Sequence, residues 1–274
     1  MLKRRLIPKL QLRAAQFGGR RRMVLVTTSR FEQSFEIGDP VSQARIYEAQ
    51  AADELILLDL DASRENREPI AELLRTIAAE LFMPLTVGGG VRSIEDFRRL
   101  LSHGADKVSI NSAAVEVPSL ITEASAKFGS QCVVLSIDYR KDVSGRYTVW
   151  TRGGHNQTWL DPVRWALEGE RLGAGEILLT SIDRDGTRTG LDCELTRAVA
   201  AAVTIPVITS GGCGLAQHFV EGFKQGSADA VSAGTYFSFK DENPMQTRSQ
   251  IKNAGIPIRM HGQTEVLQVA RVAD

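Results

Sequence analysis

Two clusters of glycine directly follow short apolar runs, Gly88-Gly-Gly-Val-Arg and Gly211-Gly-Cys-Gly. Each leads into a helix-like stretch, where free backbone N–H groups and the helix dipole favour an anion. Glycine also lacks the Cβ that would hold the backbone away from phosphate oxygens. Ile110-Asn-Ser-Ala and Ser232-Ala-Gly-Thr supply further N–H and hydroxyl donors beside the two clusters. Together they suit an elongated ligand with a phosphate at each end. The plainer alternative is that the glycines only make tight turns between strand and helix.

Carboxylates occupy the neighbouring loops. Asp59-Leu-Asp-Ala-Ser and Asp183-Arg-Asp-Gly-Thr follow two more apolar runs, and Asp138 closes another. Asp59, Asp138 and Asp185 are therefore candidates for proton transfer. A loop Asp more often caps a helix or a turn, but no glycine turn beside Asp138 explains it that way. His103, His155, His218 and His261 lack ligand-like spacing, so no metal and no cofactor is expected. Cys132 reads as core packing, and Cys213 has no partner histidine to activate it.

The elements that must position these groups alternate in type. Apolar runs of strand length lie at 6–12, 54–59, 84–88, 107–110, 132–138, 176–181, 206–210 and 228–233. Amphipathic, helix-length patterns fall between them, at 40–51, 69–81, 94–102, 117–128, 162–172, 194–202 and 217–224. Near-continuous apolar strands separated by helices predict a parallel sheet covered on both faces. At this length a closed (β/α)₈ TIM barrel is the natural form, with an open doubly wound sheet as runner-up. The halves repeat: 52–58 lies over 174–180, with Glu54 and Glu176 separated by 122 positions, and the same offset carries Gly89 onto Gly211. Residues 13–38 and 139–151 interrupt the alternation as hairpin-like insertions after strand carboxyl ends, where barrel sites and their lids are built.

Composition narrows the function classes. Lys+Arg and Asp+Glu both number 33, so no basic excess points to nucleic acid. No run approaches the ~18 apolar residues of a membrane span. Three cysteines in 274 residues fit a reducing compartment, and a cytoplasmic protein is expected. The barrel domain is expected over 1–259, followed by an extension over 260–274.

The strings 88–92, 104–114, 128–134 and 173–187 (the last reading Gly-Ala-Gly-Glu-Ile-Leu-Leu-Thr-Ser-Ile-Asp-Arg-Asp-Gly-Thr) resemble the cyclase subunit of imidazole glycerol phosphate synthase. The likeness runs from residue 1 to about 259. It implies a barrel partnered with a glutaminase whose ammonia crosses the barrel core to a bis-phosphorylated, nucleotide-like substrate. It implies phosphate-binding positions at Gly90, Asn111 and Ser112 on one side and Gly186, Gly212, Gly234 and Thr235 on the other. The family's ring of charges at the ammonia entrance corresponds to Arg5, Glu54, Lys107 and Glu176. Each stands near the amino end of an apolar strand, so two cations and two anions could neutralise one another at the barrel floor. A salt-bridge plug that only seals the floor is the alternative.

The resemblance implies two catalytic acids, and only Asp138 matches one of them. The other falls on Gln11, and glutamine cannot take or give a proton near neutral pH. Lys9 stands where the family has a cysteine, and the 13–38 loop carries Arg20–Arg22 where the family has one lysine. These departures resemble a paralogue from surface-polysaccharide gene sets, thought to pass ammonia to a sugar amidotransferase that makes acetamidino groups. That role is the first expectation. The second is ring closure to imidazole glycerol phosphate and an aminoimidazole carboxamide ribotide in histidine biosynthesis, with Asp59 standing in for the missing acid. The third is a catalytically silent scaffold for the glutaminase.

Overall fold

The computed structural model describes residues 3–68, 70–239 and 243–259, so the expected extension over 260–274 lies outside the described residues. Eight parallel strands close into a barrel: β1 (Arg5–Phe17), β4 (Leu55–Asp59), β5 (Leu85–Gly88), β6 (Lys107–Ile110), β7 (Val133–Lys141), β10 (Glu176–Ser181), β11 (Val207–Ser210) and β12 (Ala230–Ala233). The β12–β1 pairing, with Arg5 opposite Ala230, and the β7–β10 pairing complete the circle. The strands read as unbroken apolar runs because both faces are buried. One face lines the lumen and the other packs under the helices. The expected TIM barrel is the observed fold.

The helices start where the chain caps them. Asp39 accepts from the Ser42 N–H at 2.8 Å to open α1 (Pro40–Ala49), and Asp161 accepts from Arg164 N–H at 3.0 Å to open α6 (Pro162–Leu172). Both have proline in the first turn, where its missing N–H costs nothing. The expected helix over 117–128 is α5 (Ser119–Phe128), and a short helix the sequence did not signal, α4 (Ser112–Glu116), precedes it, the two separated at Val117-Pro118. Two further helices, α9 (Thr235–Phe239) and α10 (Pro244–Asn253), gave no usable periodic signal.

The insertions are strand meanders. β1 runs past the barrel to Phe17, turns at Gly18-Gly19, and pairs antiparallel with β2 (Arg20–Ser29), which pairs with β3 (Gln33–Gly38). β7 likewise overruns to pair with β8 (Tyr147–Thr151), which pairs with β9 (Asn156–Gln157). The internal repeat therefore includes the meanders: each half-barrel opens on a long strand that folds back over the mouth. Each meander then fastens to the loop after the neighbouring strand of the other half. Thr27 on β2 shares a 2.8 Å hydroxyl contact with Thr235, and the Arg152 N–H after β8 donates to the equivalent Ser112 Oγ at 2.9 Å.

Candidate functional site

The floor of the lumen is a closed ring of charge. Arg5 donates to Glu54 at 2.7 Å and to Glu176 at 2.5 Å, while Lys107 Nζ reaches Glu54 at 3.0 Å and Glu176 at 2.8 Å. Each carboxylate thus spans both cations and each cation both carboxylates. The two cations outweigh the burial that alone would raise the Glu54 carboxyl, and hold it below its ordinary value. Directly above the ring, Ile7, Ile56, Val134, Leu178, Ile208 and Ala230 form a separate buried apolar cluster inside the barrel. The four charges expected near the strand starts do gather about one axis.

The mouth is divided into two clefts. The larger, about 700 Å³, runs past Gly90, Asn111, Ser112 and Asp138. The smaller, about 230 Å³, runs past Gly186, Gly212, Gly234 and Thr235. All seven positions singled out for phosphate therefore line one cleft or the other, in the two groups expected. Lys9 lines both. A packing reason for the glycine clusters also exists. A Cβ on Gly89 would lie 2.2 Å from the Asp59 carbonyl oxygen, and one on Gly211 would lie 2.4 Å from that of Ser181, the same contact in each half. The clusters that line the clefts thus also make tight turns between strand and helix.

Gln11 and Asp138 flank the approach from the lumen. Gln11 pairs in register with Leu58, and Asp138 pairs with Thr180, the position 122 residues further on, so the two are equivalents in the repeat. Gln11 is buried and its Nε2 donates to Thr28 Oγ1 at 3.0 Å. Asp138 accepts from Asn111 Nδ2 at 2.8 Å, and the same nitrogen donates to the Trp150 carbonyl at 3.2 Å. Burial pushes the Asp138 carboxyl up to about 7, against the opposing pull of Lys9 and Asn111 and with a push from Asp185. A carboxyl poised there can give and take protons near neutrality.

Asp185 and Asp59 have different surroundings. Asp185 accepts from the Thr28 hydroxyl and lies 3.8 Å from Lys9 Nζ, with its carboxyl raised chiefly by burial. It has the surroundings of a proton carrier at the mouth. Asp59 does not. Its two oxygens take a forked pair from Arg67 at 2.6 and 2.9 Å, and Oδ1 also accepts from the Asp61 and Ala62 N–H groups at 3.2 Å. A carboxylate saturated in this way holds a loop and is not a stand-in for the missing acid at Gln11.

Sequence reading missed Arg67, and it missed Thr27 and Thr28, which β2 swings across the mouth. It also gave Lys9 no role, although the parity of β1 places residues 5, 7, 9 and 11 on one face. Cys213 is buried, with its thiol raised by that burial, and is not a nucleophile. Among the described residues no three His, Cys, Asp or Glu side chains group as metal ligands; His261 lies outside them. No described helix is long and apolar enough to cross a membrane.

Comparison with known proteins places this geometry. Residues 12–242 match the histidine biosynthesis protein family. A protein of Prochlorococcus marinus (strain MIT 9313), provisionally named imidazole glycerol phosphate synthase subunit hisF2, is 50% identical over 260 residues, covering 95% of this chain and 99% of its own. A match of that length spans the barrel strands, both meanders and both glycine clusters. The chain therefore belongs to the histidine biosynthesis protein family, as a divergent paralogue of the imidazole glycerol phosphate synthase cyclase subunit.

Proposed function

We propose that this chain is a cyclase-type synthase subunit that receives ammonia from a glutaminase docked at the barrel floor and delivers it to a phosphorylated substrate at the mouth. Family membership implies the glutaminase. The observation that carries the rest is the stacking of layers along one axis. A self-neutralised ring at the floor leads to an apolar sleeve, and the sleeve leads to the mouth that holds Asp138. A charged species would lose hydration in the sleeve, whereas neutral ammonia would lose little. The chain acts in the cytoplasm, where glutamine and the phosphorylated substrate are met.

Gln11 favours the surface-polysaccharide branch, in which a sugar amidotransferase uses the ammonia to form an acetamidino group. The test combines this chain, its glutaminase, the amidotransferase and glutamine labelled with nitrogen-15 in the side-chain amide. Label in the acetamidino product, lost when this chain is omitted, is the expected result. No labelled product with every partner present overturns it. The second reading, ring closure for histidine, draws on the name of the Prochlorococcus marinus relative. It is weakened by the forked Asp59–Arg67 pair, which removes the replacement acid. Failure of this chain to rescue a histidine auxotroph, despite good expression, would set it aside.

A further inference from the structure

The large apolar side chains left in water are unevenly placed. Phe35, Val117, Val143, Trp159, Leu215 and Phe239 all stand in segments that follow the carboxyl end of a barrel strand, so they surround the mouth. Among the described residues only Phe82, just before β5, is exposed at the floor, and the rest lie on helices. Single exposed apolar residues are ordinary, but their gathering around one opening marks a contact surface.

The same rim carries a surplus of positive charge. Arg22, Arg30, Arg146 and Arg188 are exposed and form no ion pair among the described residues. The acids near them are mostly taken: Glu116 by Arg152 at 2.9 Å and Glu194 by Lys141 at 3.0 Å. Arg188 lies over the exposed Phe239 ring, 5.2 Å from its centre.

One part of the rim is built as a pocket. Arg146, Trp159, Arg164 and Trp165 line an open recess of about 990 Å³ between the β7–β8 turn and the first turns of α6. The acids of the recess are engaged, since Asp161 caps α6 and Glu168 pairs with Arg171 at 2.6 Å. Trp159 is 89% exposed, whereas Trp165 is buried and its Nε1 finds no acceptor among the described residues. A buried indole N–H is normally partnered. Two guanidinia beside an unanswered N–H suit a carboxylate that arrives from outside the chain.

We propose that the mouth rim is a docking surface for a second protein, the enzyme that consumes the ammonia. Its facing surface is acidic and apolar, and one of its carboxylates seats in the Trp159 recess. This deepens the proposed function and rests on its reading that the nitrogen passes to another enzyme. Ammonia that meets water near neutral pH is protonated, and its lone pair is then no longer free to form a bond. A partner seated on the rim keeps the end of the route as dry as the apolar sleeve makes its beginning. Aromatic side chains interspersed with arginine are the composition of such contacts. The glutaminase, at the opposite end, does not compete for this face.

The test measures binding of the purified sugar amidotransferase to this chain in complex with its glutaminase, by calorimetry, beside the nitrogen-15 transfer assay. Trp159→Ala and Arg146→Glu should each weaken binding at least about tenfold, while Phe82→Ala at the floor should change it less than about twofold. All three side chains are exposed, so each variant keeps the fold. Unchanged affinity in both rim variants overturns the docking surface and leaves the proposed function standing. Label that reaches the product without any complex does the same. The absence of both complex and label overturns the two together. A dimer of this chain that Trp159→Ala dissolves would give the rim to a second copy, which also overturns the proposal.

Discussion

Gln11 and Asp138 occupy the same register position in the two halves of the barrel, one neutral and tied to Thr28, the other a carboxyl raised to about 7 and tied to Asn111. The mouth is therefore symmetric in backbone and asymmetric in proton chemistry. Of this equivalent pair, only the second half carries a carboxyl.

The Asp138 carboxyl rises from 3.8 in the unfolded chain to about 7 in the fold. Between those values the folded chain keeps a proton that the unfolded chain has released. Stability falls as pH rises through this window, and the loss is complete above about 7. Asp138→Asn has no such proton. It should match the wild type in stability near pH 4 and exceed it at pH 8, read from denaturant melts. Turnover at the mouth should drop by at least roughly 10²-fold.

Arg5→Met would leave Glu54 and Glu176 sharing Lys107 alone at the barrel floor. Breaking a largely buried ion network in this way should cost on the order of 3 kcal/mol in a denaturant melt. Glutamine-driven turnover should fall more than turnover fed by ammonium salt. Equal losses on the two nitrogen sources would mean that the ring seals the floor and nothing more.

A carboxylate placed in the larger cleft should repel phosphate. Ser112→Asp suits this purpose, since its oxygen can still accept from the Arg152 N–H. Affinity for phosphorylated ligands should fall at least about tenfold, with the melt within about 1 kcal/mol of wild type. Gly212→Asp is a poorer choice. At φ +112° its Cβ would lie 2.1 Å from the Gly190 carbonyl oxygen, so it would disturb the loop as well as the charge.

Asp59→Asn separates a structural acid from a chemical one. With the fork to Arg67 lost, stability should drop by roughly 2–4 kcal/mol. The pH profile of turnover should not move. A lost alkaline or acid limb in this variant would return Asp59 to the chemistry.

Much of this was legible in the residues because it depends on local period. The apolar runs gave every barrel strand to within a few residues, and the 122-residue offset placed the glycine clusters opposite each other. The grouping of the charges at 5, 54, 107 and 176 comes from the family resemblance, and their shared place near strand starts agrees with it. What stayed hidden depends on the path of loops. Arg67 lies eight residues beyond Asp59, and only the turn between them makes the fork. Residues 13–17 mix polar and apolar types without a clear alternation, so nothing in them marks the overrun of β1 or the placing of Thr27 and Thr28 over the second cleft. Asn111 offered its amide equally to a ligand or to Asp138, and the structure turns it to Asp138.

The floor ring also bears on how such a chain could arise. Arg5 and Lys107 both belong to the first half, and their equivalents in the second are Cys132 and Ala230; Glu54 and Glu176 are true equivalents. Doubling the first half would seat four cations against two carboxylates, and doubling the second would seat two carboxylates alone. A balanced base exists only in the fused polypeptide, so if two copies of one ancestral segment were joined, their descendants had to specialise before that end of the cylinder could be electrically quiet.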